Sequence, residues 1–486
     1  MSQKNLRILW LYPNQHMRVT PPGGVAIITA CLRRAGYNNI ELFDATWYPV
    51  DKSAPEFARP DRDIERSKRQ MFPEYKWERS DLDPNMFMLE DTDMYTAWRQ
   101  KVLDFKPDVI LSSVVEDTYY LWRKFMDQVN DRKFISVCGG VFCTYFPQAF
   151  EGKCDYILRG EGDEVVPELM DLISEGKDGH HLMNVHPNPM RPAMNVNTLP
   201  PTDHTIFDER SLYRPFQGKI IKIATVETQR GCPFKCKFCN SPSNAGLYKE
   251  ETDSLFFRKR TVQHQEMEII DLLEKHQIEV LWIVTDTFLT MSKKGFDEWA
   301  EMYSKYKLPF FTQTRPELLS PYQARTLKEL GCIKMNMGVE HGDPQFRRDV
   351  IGRIYDNEKA IDAFRIAREA GLSTTCNFII GYPYETMEHC MKSVELAARL
   401  GCDDTNAFIY TPYHGTPMRD MCVKGGFIED DLIVEMRSDD QGTYLNMPKP
   451  YMSREEIQYM FNNFVRLFRE RERQLKGETI SATISV

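Results

Sequence analysis

The sequence predicts an α/β chain in two parts: an N-terminal doubly wound parallel sheet of Rossmann or flavodoxin-like type, then a TIM-like barrel, open or partial, followed by a helical C-terminal region. Three observations predict it. Short apolar runs alternate with helix-period segments over residues 6–158, the alternation resumes at Lys219 and repeats through Ile409, and the stretch between is rich in Gly, His, Asn and Pro. Strands that alternate with helices build parallel sheets covered by helices, and such sheets hold their ligand sites beyond the C-terminal ends of the strands.

In chain order, residues 6–11 (LRILWL) form a buried strand stopped at Tyr12-Pro13. Pro21, Pro22, Gly23 and Gly24 make a loop, Val25, Ile28 and Leu32 recur at helical spacing, and Gly36 is the stop. The next strand is 40–43. Further strands are expected at 108–114, 134–137 and 156–158, with a helix over 119–129. The strand ends therefore carry residues 21–24, 112–116, Gly139-Gly140 and Gly160-Glu161, and glycine there lets backbone approach a large flat ligand. Residues 52–104, charged and aromatic, interrupt the alternation and read as a solvated helical insertion or a lid. The first domain spans 1–175. Residues 176–217 read as a linker whose His180, His181 and His186 are exposed rather than metal-binding, because no ordered element fixes their spacing.

The second domain, 218–418, predicts strands at 219–225, 280–285, 310–314, 334–339, 375–380 and 405–409. Helices fall between them at 263–276, 295–305, 321–330, 358–370 and 387–400, with Gly371 and Gly401 as stops. In the region 419–486, Ser453 and Glu456 form a capping box. Ile457, Met460, Phe461, Phe464, Leu467 and Phe468 follow at helical spacing, as in a helix packed on the barrel.

The formal charge of -9 over 486 residues offers no general basic surface and disfavours a nucleic-acid partner. No apolar run reaches membrane-spanning length and no leader pattern opens the chain, which leads to the expectation of a cytoplasmic protein. Its 12 cysteines, kept reduced there, suit a metal cluster better than a disulfide framework.

Chemistry concentrates in residues 231–240, GCPFKCKFCN, where Cys232, Cys236 and Cys239 are spaced C-x3-C-x2-C. Three thiolates this close in one loop can ligate three irons of a cubane cluster and leave the fourth iron open. Zinc would want a fourth ligand nearby, and none follows among Asn240, Ser241, Pro242 and Ser243. With Phe238 before the last cysteine, the spacing resembles the signature of the radical S-adenosylmethionine superfamily. The glycine-rich strand ends ahead of it resemble the cobalamin-binding domain of that superfamily's B12-dependent members: Pro21, Pro22 and Gly24 match PP-x-G, Gly139-Gly140 the GG element, and Gly160-Glu161-Gly162 the G-E-G element. A D-x-H-x-x-G element is absent, since Thr118 and Tyr119 follow Asp117; the resemblance then implies a lower axial position without a histidine, and His16, the nearest candidate replacement, reads as a solvated loop residue.

The resemblance implies a (β/α)6 barrel holding a 4Fe-4S cluster on Cys232, Cys236 and Cys239. It implies S-adenosylmethionine contacts from Phe238, Asp286, Thr287, Gln313, Arg315, Glu340, Gly381, Tyr410 and Pro412, and cobalamin contacts from Pro22, Gly23, Ser112, Ser113, Val114, Glu116, Gly139, Gly140, Gly160 and Glu161. Cys376 is expected at the barrel end. The activity implied is methylation of an unactivated carbon of a small molecule, by way of a deoxyadenosyl radical and methylcobalamin, with flavodoxin or ferredoxin as electron donor and a second S-adenosylmethionine to restore the methyl group. The alternatives are a non-methylating cyclase or ring-rearranging enzyme of the same group and a non-catalytic cobalamin or iron sensor. A tRNA methylthiotransferase would need three widely spaced N-terminal cysteines, whereas Cys138, Cys143 and Cys154 are crowded.

Overall fold

The computed structural model describes residues 4–14, 21–48, 89–216, 219–435 and 442–477. Expectations for residues 52–88 and for His16 lie outside them.

The first sheet has five strands, β1 (Ile8–Tyr12), β2 (Ile40–Asp44), β3 (Val109–Ser113), β4 (Ile135–Gly139) and β5 (Tyr156–Ile157), all parallel and in the order β2-β1-β3-β4-β5. That is the flavodoxin-like order, whose topological switch point lies between β1 and β3. The strands are apolar on both sides because both faces are covered. Helices α1 (Gly23–Arg34) and α5 (Val165–Ser174) bury Val25, Leu32, Val166 and Leu169 on one face. Helices α2 (Met94–Phe105) and α3 (Tyr119–Asp127) bury Trp98, Val102, Trp122 and Phe125 on the other.

Helix α2 falls within the segment expected as an insertion, yet it connects β2 and β3 as an ordinary crossover. Asp93 caps it by accepting from the Thr96 N–H at 2.9 Å, and Met94, Trp98 and Val102 form its buried stripe. Its charged, aromatic surroundings mask that period of four in the sequence.

The second sheet has seven strands in the order β14-β13-β12-β11-β10-β7-β6. Six are parallel: β7 (Lys219–Glu227), β10 (Val280–Val284), β11 (Phe310–Thr314), β12 (Cys332–Glu340), β13 (Thr374–Ile380) and β14 (Asp404–Ile409). The seventh, β6 (Tyr213–Phe216), runs antiparallel at the β7 edge. Helices follow the parallel strands: α6 (Asn240–Thr252) and α7 (Val262–His276) after β7, α8 (Lys293–Tyr303) after β10, α9 (Pro321–Glu329) after β11, α10 (Asn357–Glu369) after β12 and α11 (Met387–Leu400) after β13. A short ladder of β8 (Gln229–Arg230) and β9 (Arg258–Lys259) flanks the cysteine loop. One face of the sheet packs on these helices through residues such as Leu281, Phe310, Met335, Cys376 and Phe378. The other carries Ile223, Val280, Trp282 and Phe311. After α12 (Pro417–Lys424), helix α13 (Arg454–Leu475) opens with the expected Ser453–Glu456 capping box and packs on the sheet, with the Phe464 and Phe378 ring centroids 5.4 Å apart.

The segment between the domains is packed. Val185 bridges to Leu158, and Met194, Val196 and Leu199 bury against Ile27 and Cys31 of α1. Its histidines go separate ways: His180 stacks on Tyr156 at 4.4 Å and pairs with Asp178, His186 pairs with Glu151 at 2.9 Å, and His181 is exposed.

At Gly140 the chain has φ +108°, and a Cβ would lie 2.6 Å from the Val114 carbonyl oxygen. Gly140→Ala is therefore expected to lower the stability of the first domain by about 1–3 kcal/mol, through strain and overpacking against backbone that cannot yield. Gly246→Ala, inside α6 with open space where its Cβ would go, should be neutral or slightly stabilising. Denaturant midpoints of the two variants make the comparison.

Candidate functional site

Both sheets point their strand ends into one cavity of about 860 Å³. From the first domain, Gly23 and Gly24 after β1, Ser112 and Ser113 of β3, Gly139 and Gly140 after β4 and Gly160 and Glu161 after β5 line it. The second contributes Phe238, Cys239, Asn240, Asp286 and Gln313. The gap at the switch point of one sheet thus faces the cysteine loop of the other.

The loop leaves β8 at Gly231, where φ is +84°, and runs through the three cysteines into α6, which Cys239 caps. Each sulfur meets a polar hydrogen. The Ser241 N–H donates to Cys239 Sγ at 3.5 Å, Cys232 Sγ takes the Phe234 N–H and has Thr287 Oγ1 3.6 Å away, and Cys236 Sγ accepts from Arg353 Nε at 3.3 Å and from Arg315 at 3.6 Å. Burial pushes the Cys239 thiol up to about 12, with Asp286, Cys236 and Cys232 adding to it, so the three sulfurs already feel one another. Hydrogen-bond donors around every sulfur, two of them guanidinium groups, stabilise thiolate charge, as a cysteine-held iron cluster requires. Among the described residues no three His, Cys, Asp or Glu side chains gather closely enough for a single metal ion.

Two turns brace the loop from outside. The Lys237 N–H donates to the Ile351 carbonyl at 2.9 Å, and the Met418 N–H donates to the Lys237 carbonyl at 3.0 Å. The absence of a side chain at Gly352 lets its turn lie on the Lys235 carbonyl, which a Cβ there would meet at 2.7 Å.

The residues expected around S-adenosylmethionine divide. Phe238, Asp286 and Gln313 line the cavity. Asp286 accepts from the Ser241 hydroxyl at 2.5 Å, burial raises its carboxyl, and Gln313 donates to the Thr285 carbonyl at 2.7 Å. Arg315 and Glu340 lie behind Cys236. Arg315 covers the Phe234 ring at 3.7 Å and pairs with Glu317, while Glu340, at φ +71° beside a register shift in β12, pairs with Arg353 at 2.9 Å. Burial raises the Glu340 carboxyl against the pull of that arginine. Gly381 has φ +74°, its N–H donates to Glu385, and the room its missing side chain leaves is taken by Ile457 of α13. Tyr410 is buried beside Tyr382 and Cys422, and the Pro412 carbonyl accepts from Arg419 at 2.8 Å.

Among the residues expected around cobalamin, Val114 is buried against Gly140, and Pro22 is the helix cap of α1. Glu116, 3 % exposed, turns to the second domain. Its carboxylate accepts from the His414 N–H at 2.8 Å, from His414 Nδ1 at 2.7 Å and from the Val434 N–H at 3.0 Å. Glu161 lines the cavity but accepts from Arg230 at 2.9 Å and from Arg258 at 2.7 Å, and Arg230 also forks onto Asp163 at 2.8 and 2.9 Å. These buried pairs join the domains on either side of the cavity. Cys376 is not at the barrel end: it is fully buried on the helix-covered face of β13, its sulfur 3.1 Å from Cys402 Sγ, because alternation along the strand turns it away from the concave side.

Sequence reasoning missed Arg353, Arg230 and Ser241. Arg353 lies 117 residues from the cysteine it touches, which no local pattern reveals. Arg230 immediately precedes the loop, a position from which a charge partner could have been sought.

Residues 226–397 match the radical SAM superfamily model. An uncharacterised methyltransferase of Pyrococcus horikoshii is 26 % identical over 345 residues, 67 % of this chain and 71 % of that protein. The anaerobic magnesium-protoporphyrin IX monomethyl ester cyclase of Cereibacter sphaeroides is 22 % identical over 444 residues, 85 % of this chain and 63 % of its own length. In fold, the chain is similar to the radical S-adenosylmethionine methyltransferase TsrM of Kitasatospora setae, solved with cobalamin and a [4Fe-4S] cluster bound. Their TM-score is 0.60 at 17 % identity, over 89 % of this chain and 82 % of that one.

Proposed function

From the premise that the chain belongs to the radical S-adenosylmethionine enzymes that carry a B12-binding domain, we propose that it is a cobalamin-dependent methyltransferase acting on an unactivated carbon of a small molecule, on a (β/α)6 barrel. One observation carries the reading: glycine-rich strand ends of one sheet and the three-cysteine loop of the other share a single cavity. The residues fit both groups. Every cysteine sulfur has a polar hydrogen beside it. On the facing wall, side chains added at Gly23 or Gly24 would meet no atom within 4 Å and the buried Trp10 Nε1 has no partner, and on the cluster side the buried Thr285 Oγ1 has none.

When bound, the cluster and cobalamin supply the electron that cleaves S-adenosylmethionine and the methyl-transfer chemistry. The chain's own residues do the rest. Cys232, Cys236 and Cys239 hold the cluster while Arg353, Arg315 and the Phe234 and Ser241 N–H groups offset its charge. Asp286, fixed by Ser241, offers a carboxylate to the ammonium of S-adenosylmethionine. Gly23, Gly139 and Gly140 allow a flat macrocycle to lie close to backbone, and the two domains together exclude water from the radical.

Protein made with ample cobalamin and purified without oxygen should carry one cobalt per four irons. With S-adenosylmethionine, reductant and a true substrate it should release both 5′-deoxyadenosine and S-adenosylhomocysteine. Iron without cobalt in a folded protein would sink the proposal. The similarity to the cyclase favours one second reading, a non-methylating enzyme on the same cavity. That enzyme would release 5′-deoxyadenosine without S-adenosylhomocysteine.

A further inference from the structure

We propose that the surface behind Cys236 docks an acidic one-electron donor protein, with Ile354 at its centre and Lys235, Lys237 and Arg348 around it. The inference rests on the radical-enzyme reading, under which an electron must cross from solvent to a cluster the protein covers.

The three cysteines do not face the same way. Cys239 lines the cavity that the first domain closes, so a protein partner cannot reach the cluster from that side. Cys236 lies on the other side, against Arg353 and Arg315. Here the cover is thin. Arg353 Nε is 3.3 Å from Cys236 Sγ, and the next residue in the chain, Ile354, is 78 % exposed, the most exposed large hydrophobic side chain among the described residues.

The turn that carries Ile354 and the cysteine loop form one continuous surface. Gly352 rests on the Lys235 carbonyl, and Lys237 Nζ donates to the Asp349 carbonyl at 2.7 Å. Lys235 is exposed with no carboxylate beside it among the described residues, and the Arg348 side chain is 54 % exposed. Among the described residues, Arg348 pairs with Asp349 at 2.9 Å, and Lys235 and Lys237 pair with no carboxylate. A cationic island on a chain of net charge -9 is out of keeping with the whole. An exposed apolar residue within a basic rim suits a transient contact with a partner of opposite charge, which steers encounter more than it adds affinity. In the transfer, one electron passes from the reduced donor to the oxidised cluster, and no bond is made or broken.

The test uses the cluster-loaded full chain, with iron determined first, and follows cluster reduction by reduced flavodoxin, reduced ferredoxin and dithionite in parallel. In Lys235→Glu/Arg348→Glu, the rate with the acidic proteins is expected to fall about tenfold or more and to lose its dependence on salt, while dithionite reduction and iron content stay as in wild type. Arg348→Glu alone, outside the cysteine loop, should move the rate in the same direction, and Ile354→Asp should slow both protein donors. Protein-donor rates that ignore all three variants and the salt concentration would overturn the docking surface and leave the enzyme reading intact. A wild-type chain that takes up no cluster would overturn the enzyme reading first and the docking surface with it.

Discussion

Replacing Cys232, Cys236 or Cys239 with alanine is expected to bring bound iron to background and to end 5′-deoxyadenosine release, while Cys376→Ala keeps both. The contrast follows from where the thiols stand. The first three share one loop, each with a polar hydrogen at its sulfur, whereas Cys376 is sealed on the helix-covered face of β13 against Cys402 and Thr405. Iron analysis and chromatography of the reaction in the four variants decide it. Full iron in Cys239→Ala, or its loss in Cys376→Ala, would mean that the cluster is held elsewhere.

Arg230→Met should lower stability by about 3–5 kcal/mol, because it removes the cation between the buried Asp163 and the largely buried Glu161 without removing the carboxylates. Asp163 is 5 % exposed and its carboxylate is forked by Arg230, while Glu161 keeps Arg258 and the Met194 N–H. Burial by itself would raise the Asp163 carboxyl, but the charge and hydrogen bonds of Arg230 outweigh it and hold it below the ordinary carboxylate value. A carboxyl depressed in the folded state adds stability above its unfolded value, about 3.9, and that stability is lost as pH falls below it. Wild type should therefore lose stability below about pH 4, and in Arg230→Met the Asp163 part of that loss should vanish. Denaturant titrations at pH 7 and at steps below pH 4 measure both. Equal midpoints at pH 7 would show that the clasp contributes nothing. Because the clasp joins the first domain to the residue before the cysteine loop, a weakened variant should also bind cobalamin less tightly.

Much of the fold was legible because its signals are local. All six parallel strands of the second sheet begin and end within two residues of where apolar runs and glycine stops put them, and Met387–Leu400 matches its expected bounds. Helix α2 was misread because its stripe of Met94, Trp98 and Val102 sits in a charged, aromatic stretch that period alone does not resolve. The packing of residues 176–212 was invisible for a different reason. Its apolar side chains have no period of their own and bury against α1 and β5 of another part of the chain.

The sequence by itself determined which residues hold chemistry: three cysteines within eight positions of one loop, and glycines at successive strand ends, are local facts that survive any packing. Only the tertiary structure decided what surrounds them. Arg353 at Cys236, Glu116 on His414 and Arg230 between Asp163 and Glu161 span 117, 298 and at most 69 residues of chain. Strand alternation, a register shift at Glu340 and the approach of Ile457 to Gly381 then turn some strand-end residues toward the cavity and others behind it. A side chain's direction at a strand end depends on which neighbours arrive there, and those neighbours come from distant parts of the chain.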